Sequence, residues 1–459
     1  MWGIDRLSAG ELGNTRRRLR NSAVALLSQA SAVDRRGKPV LDVLEELGVR
    51  PVRLFAGEHG FDGVAQAEEA VASIAPPPRV EVLGAALPSQ EPATPAALQG
   101  ELVSAPPESD GELVWDAERE AEPEGAGSEP PSPSLPPEII SLYGSDKSSL
   151  SPRPEHLAGI DVLLIDLMDV GSRYYTFVWT ALLAARAAAR AGVHVLVLDR
   201  PNPISGDPGS VEGAPQLPGF TSFVGLESIP IRHGMTVAEL LVYFFARDSQ
   251  ALGPDGALSV IGCRGWERHR TAHAWGRPFI APSPNMPTVD TALVYPGGCL
   301  IEGTNLSEGR GTTLPFQTVG APFLNGRALA RAMVEARLPG VMVRPHSFRP
   351  TFEKHAGQLC QGVVLHVTDP RAFRPVTTYL TLLTLARQQA PESFEFLTRP
   401  YEFEAERLAF DLLTGSDAAR NAILSGASPN EVCSLVAPVA PSWHESLGEI
   451  ESMMARAHA

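Results

Sequence analysis

A glutamate set between glycines, Gly57-Glu58-His59-Gly60, comes one residue after the apolar run Val52–Phe55. Glycines on both sides let the backbone turn sharply and hold a carboxyl into a cleft. Three more apolar runs end in polar groups: Ser28-Gln29, then Asp166-Leu-Met-Asp169-Val-Gly-Ser-Arg173, then Asp199-Arg200-Pro-Asn202-Pro203. Carboxylates, guanidinium groups and amides gathered this way suit acid–base or metal-assisted hydrolysis of a polar substrate. Further along, Ile229-Pro-Ile-Arg-His233-Gly offers a histidine able to titrate near neutrality. The run from Glu302 to Thr313 is the densest polar loop, with Asn305, Glu308 and Arg310 within six residues. A planar guanidinium such as that of Arg310 can hold a substrate carboxylate in a two-bond fork.

Absent motifs narrow the chemistry. No GxGxxG follows a first strand, no GxxxxGK[ST] is present, and no GxSxG elbow occurs. Dinucleotide binding, P-loop nucleotide hydrolysis and an α/β-hydrolase triad are therefore unsupported, and no cofactor is expected. The four cysteines, Cys263, Cys299, Cys360 and Cys433, lack zinc-ligand spacing and read as buried free thiols.

The elements that must position these groups alternate. Ala23–Ser28, Val52–Phe55, Asp161–Asp166 and His194–Asp199 are short, nearly continuous apolar runs, as parallel strands covered on both faces require. Lys38–Leu47 and the alanine-rich Val178–Ala191 read as helices, the latter stopped by Gly192. Strand-like sequence resumes at Glu138–Tyr143, Thr236 is placed to cap a helix over Val237–Ala246, and Leu258–Gly262 is a further strand. The pattern predicts a doubly wound α/β domain over residues 1–281, whose ligand site lies beyond the carboxyl ends of its strands. From Pro278 to Pro315 the chain is rich in Pro, Gly, Asn and Thr and is expected to form loops and turns. Beyond it Arg327–Ala336 and Thr377–Gln388 read as helices, Val341–Arg344 and Val363–Val367 as strands, giving a smaller α/β domain over 282–459.

Residues 75–137 interrupt the first domain with 14 of the 42 prolines. Between Glu101 and Pro130 ten acids face one base, a net of −9 out of the chain's 38 − 53 = −15. Such a segment buries too little apolar surface to offset its ordering entropy and is expected to be a flexible insertion. The acidic balance argues against nucleic acid or an anionic membrane as partner. No apolar run reaches the roughly 18 residues of a membrane span. The basic run Arg16–Arg20 before Ala23–Ala32 imitates a secretory leader, but Ser28 and Gln29 break its apolar stretch. A first core strand explains it better, and a cytoplasmic protein is expected.

The order of motifs resembles a known family. Leu54-Phe55-Ala-Gly-Glu58-His59-Gly60-Phe61-Asp62-Gly63, Ser141-Leu142-Tyr143-Gly144, Arg173-Tyr174-Tyr175-Thr176, Leu198–Pro203, Ser222-Phe223-Val224-Gly225, Pro230–Thr236, Pro282-Ser283-Pro284-Asn285-Met286-Pro287-Thr288, Tyr295-Pro296-Gly297 and Glu302–Thr313 are similar to those of the NamZ-type exo-β-N-acetylmuramidases. The likeness covers nearly all of the chain outside the insertion. It implies a Rossmann-like domain and a smaller C-terminal α/β domain with the active site between them. It also implies removal of terminal N-acetylmuramic acid from the non-reducing end of peptidoglycan fragments, so that muramic acid disaccharides or muropeptides are the partners. The family's catalytic glutamate falls in the Glu-His-Gly motif, hence on Glu58. Chemistry suggests the remaining roles. A second carboxylate would come from Asp169, Glu302 or Glu308. Arg173, Arg310 or His233 would recognise the lactyl carboxylate that distinguishes muramic acid from glucosamine. His59, Tyr175, Asn202, Asn285 and Asn305 complete the expected sugar-binding set. Met168 stands where the family pattern has a glutamine, and a thioether cannot match an amide's hydrogen bonding. Two other readings stay open: a metal-dependent hydrolase using Asp166, Asp169 and His233, and a muropeptide-binding protein without catalysis.

Overall fold

Strands that are apolar at every position need cover on both faces, and the larger sheet has it. In the computed structural model, which describes residues 1–61, 63, 65, 137–252 and 257–457, six strands form this sheet. They are β1 (Val24–Ser28), β2 (Arg53–Ala56), β3 (Glu138–Ser141), β4 (Val162–Asp166), β5 (His194–Leu198) and β6 (Leu258–Ile261). Their order is β3-β2-β1-β4-β5-β6, and every pairing is parallel. The period-2 alternation sorts side chains between two cores. Leu27, Phe55, Ile165 and Val197 join one, while Leu26, Leu54, Leu164 and Leu196 join the other. All eight are buried.

The crossover from β1 to β2 uses the helix Val40–Glu46, and that from β4 to β5 uses Phe177–Arg190. The order reverses between β1 and β4, where Ser28 lies opposite Asp166. Such a reversal leaves a crevice at the strands' carboxyl ends. Gly192, at φ +74°, ends the second helix in the left-handed conformation expected of a C-cap. Thr236 and Glu239 cap the helix Val237–Leu252 reciprocally: the Glu239 amide donates to Thr236 Oγ1 at 3.1 Å and the Thr236 amide to Glu239 Oε2 at 2.9 Å. The proline- and acid-rich insertion, residues 75–136, lies outside the described residues.

The second sheet is antiparallel, in the order β7 (Thr318–Ala321), β9 (Cys360–Val367), β8 (Val341–Phe348). Pro345, which cannot donate to a ladder, sits on the edge strand β8. Helices Gly326–Glu335 and Pro375–Gln389 belong to the same half of the chain, and both sheets lie in one compact unit.

One expectation needs correction. The Pro/Gly-rich stretch 278–315 is not all loop, since Val289–Gly298 is a helix continued by a 3-10 turn over Cys299–Gly303. Thr288 Oγ1 caps it by accepting the Thr291 amide. Close packing explains the glycines: a Cβ on Gly297 would fall 2.1 Å from the Pro375 carbonyl oxygen, and one on Gly303 would meet the Phe410 backbone at 2.6 Å. Here glycine serves close approach of neighbouring segments rather than turning.

Candidate active site

The turn after β2 carries Glu58 and His59 into a cavity walled on the other side by the second half of the chain. His59 itself adopts φ +71°, a left-handed conformation costly for a residue with a side chain. Its Nδ1 lies 2.7 Å from the Ala65 carbonyl oxygen, which can only accept, so Nδ1 carries a proton. The other ring nitrogen, Nε2, then stands 4.0 Å from Glu58 Oε1. Thr176, at the start of the helix after β4, donates its hydroxyl to Glu58 Oε2 at 2.6 Å. One carboxyl oxygen is therefore held by the protein while the other is bound by no protein donor at hydrogen-bond distance among the described residues. Glu58 is only 6% exposed.

Tyr175 continues the same wall, packed edge-on against Phe177 and Tyr295. Burial pushes its hydroxyl well above the ordinary tyrosine range, and the charges of Glu58 and Asp169 push the same way. Ser283 and Asn285, from the loop preceding helix Val289–Gly298, also line the cavity.

Opposite them is a buried ion-pair chain. Arg310 Nη2 donates to Glu302 Oε1 at 2.7 Å, and its Nε stands 3.3 Å from Glu308 Oε1. Lys354 Nζ lies 2.8 Å from Glu308 Oε2 and donates to the Ile301 and Thr304 carbonyls at 3.0 Å. Tyr401 donates its hydroxyl to Glu302 Oε2 at 2.6 Å. Burial opposes charge on Arg310, but Glu302 and Glu308 outweigh it and raise its pKa above the ordinary value. Burial likewise works to raise the Glu308 pKa, yet Lys354 and Arg310 prevail and hold it below the usual range.

Of the residues singled out from sequence, Glu58, His59, Tyr175, Asn285, Glu302, Glu308 and Arg310 line this one cavity. The others have structural partners elsewhere. Arg173, 1% exposed, donates to the carbonyls of Ala214 (2.9 Å), Ile229 (2.7 Å) and Leu413 (2.6 Å), and burial lowers its pKa to about 10. Asn202 donates to the Met235 carbonyl and accepts the Ile204 amide, both at 3.0 Å, closing the turn after β5. His233 is wholly buried, with Nδ1 accepting the Met235 amide and Nε2 3.4 Å from Asp169 Oδ2. Asp169 also accepts the Gly171 amide at 2.7 Å. Asn305 clamps a neighbouring segment, donating to the Ser393 carbonyl at 2.7 Å and accepting the Glu395 amide at 3.0 Å. Asp166 spends both carboxylate oxygens on Arg200, so of the trio Asp166, Asp169 and His233 it is already neutralised by an internal guanidinium.

Sequence reading missed several lining groups: Thr176, Glu353, Lys354, Arg399, Tyr401 and Glu402. Thr176 stood in a quoted motif without a role. The others lie 40 to 100 residues beyond the polar loop they face, and nothing local marks them. The backbone is strained here too, with Glu353 (φ +62°) and Glu402 (φ +46°) in the left-handed region. Tyr143 donates to Glu402 Oε2 at 3.0 Å, tying the segment just after β3 to the loop that carries Glu402.

Residues 121–290 match the family model described as Exo-beta-N-acetylmuramidase NamZ, N-terminal, and residues 293–449 the one described as Exo-beta-N-acetylmuramidase NamZ, C-terminal. The Glu-His-Gly turn lies upstream of the first matched residue. The peptidoglycan beta-N-acetylmuramidase NamZ of Bacillus subtilis (strain 168) is 42% identical over 294 residues, covering 64% of this chain and 67% of that protein. Two crystal structures of DUF1343 family proteins from Bacteroides fragilis NCTC 9343 share the fold, with TM-scores of 0.70 and 0.61. Each is 23% identical and covers 98% of this chain and 97% of its own.

Proposed function

The chain belongs to the NamZ exo-β-N-acetylmuramidase family, and from that premise we propose that it hydrolyses the glycosidic bond of a terminal N-acetylmuramic acid at the non-reducing end of peptidoglycan fragments, with Glu58 as the acid. The observation that carries the reading is the arrangement at Glu58. The Thr176 hydroxyl fixes one oxygen, leaving Oε1 for the proton that passes to the glycosidic oxygen as the bond to the sugar's anomeric carbon breaks. The departing sugar takes that proton and leaves as an alcohol. His59 turns Nδ1 to the Ala65 carbonyl, which leaves Nε2, 4.0 Å from the same Glu58 oxygen, facing the place of a sugar hydroxyl.

A glycosidase of this type uses a second carboxylate, either to activate water or to attack the sugar. We assign that role to Glu302. It lines the same cavity, and both its oxygens accept donors, from Arg310 and from Tyr401, which fix its orientation. Glu308 is more deeply buried and sits between Arg310 and Lys354. Asp169 is held by Gly171 and His233 and is not part of the lining. Tyr175 and Asn285 supply a ring face and an amide for the sugar.

The test is incubation with N-acetylmuramic acid–β-1,4–N-acetylglucosamine, followed by mass spectrometry of the products. Both free sugars should appear. Glu58→Gln should lose about two to four orders of magnitude in turnover, the range of a general acid–base contribution, while keeping its circular dichroism spectrum. Near-native turnover by that variant refutes the assignment.

A further inference from the structure

Muramic acid brings an anionic lactyl carboxylate into a cavity whose acidic lining residues outnumber its lysines and arginines five to three among the described residues. Some cation must meet that charge, or binding would be opposed by repulsion and desolvation. Two of the three are already spent. Arg310 is shared between Glu302 and Glu308, and Lys354 is held by Glu308 and two backbone carbonyls. Turning Arg310 toward a ligand would strip Glu302 of its counter-ion, and turning Lys354 would forfeit two carbonyl bonds and leave Glu308 only the shared Arg310; both are costly. Arg399 differs from both. It lines the same cavity, its side chain is exposed, and among the described residues it makes no ion pair or hydrogen bond. It stands two residues before Tyr401, whose hydroxyl binds Glu302, so the loop that carries it is anchored in the site.

Resting on the reading of the site as a muramidase, we propose that Arg399 is the specificity residue that receives the lactyl carboxylate. A guanidinium presents two parallel donors to a carboxylate, and at a partly desolvated cavity mouth such a fork discriminates strongly against a neutral group. The buried charges of Arg310 and Lys354 then hold the catalytic wall together, while the exposed one selects the sugar. A sugar lacking the lactyl group gains nothing from Arg399.

The test compares wild type, Arg399→Ala and Arg399→Lys on 4-nitrophenyl β-N-acetylmuraminide and on its lactyl methyl ester. The wild type should favour the free acid. Arg399→Ala should lower kcat/KM for the free acid by about tenfold to a hundredfold, the scale of one charge-assisted fork, and leave the ester unchanged. Arg399→Lys should fall between. Equal loss on both substrates, or no loss on the acid, overturns the proposal while leaving the muramidase reading intact. If the wild type turns over neither substrate, it is the muramidase reading that fails, and calorimetric titration with N-acetylmuramic acid and N-acetylglucosamine decides the role of Arg399. Weaker binding of the first sugar alone in Arg399→Ala sustains it; equal binding by both proteins, or none by the wild type, overturns it.

Discussion

Replacing Arg310 by methionine separates two roles that look alike on paper. If the guanidinium binds substrate, its loss raises KM and leaves the fold alone. The structure makes it an internal counter-ion: 12% exposed at the side chain, bonded to Glu302 at 2.7 Å and 3.3 Å from Glu308. Breaking a buried pair by removing one partner costs about 3–5 kcal/mol, because the orphaned charge stays buried. Lys354 still neutralises Glu308 at 2.8 Å, so the main orphan is Glu302, left with the Tyr401 hydroxyl. The lower end, about 3 kcal/mol, is therefore expected. Urea denaturation followed by fluorescence should show a lower midpoint with an unchanged slope, since no less surface is exposed on unfolding. Turnover should fall as well, because Glu302 loses a donor that orients it. Adding Glu302→Gln to Arg310→Met should recover part of the stability and none of the activity. An unchanged urea midpoint together with a large rise in KM would refute this account and return Arg310 to substrate recognition.

Two other expectations follow from buried groups. Burial, with Glu239 nearby, raises the Asp199 pKa to about 7 from 3.8. Between those values the folded state holds the proton more tightly than the unfolded chain, so this group makes stability fall as pH rises from about 4 to 7. Asp199→Asn should therefore gain up to a few kcal/mol above pH 7 relative to wild type, shrinking toward zero near pH 4; parallel stability curves would contradict it. Arg173→Met removes the donors that serve the Ala214, Ile229 and Leu413 carbonyls. Each abandoned buried acceptor costs about 1–3 kcal/mol, so a loss of several kcal/mol is expected in denaturation, with KM unchanged in whatever folds. A specific rise in KM at native stability would show that Arg173 reaches substrate after all.

The larger sheet was legible because its signal is local. Four of its strands are apolar runs with polar ends, and they appear within a residue or so of the expected bounds. The placing of Glu58 in the cavity was legible for the same reason: it follows a strand end beside glycines, where the backbone can turn. The helix Val289–Gly298 was not, because its proline and glycines carry a turn signature that burial against Pro375 and its neighbours overrides. The charged groups divide in the same way. Sequence could assemble the carboxylates, arginines and histidines of the site, but it could not say which charges cancel. Arg173, Arg310 and Arg399 are chemically identical. Only folding binds the first to three carbonyls and the second to two carboxylates, and leaves the third exposed at the cavity. Those partners lie 40 or more residues away for Arg173, and Glu302's second donor, Tyr401, is 99 residues distant. A residue type states what a side chain can do; its long-range partners decide whether it is free to do it.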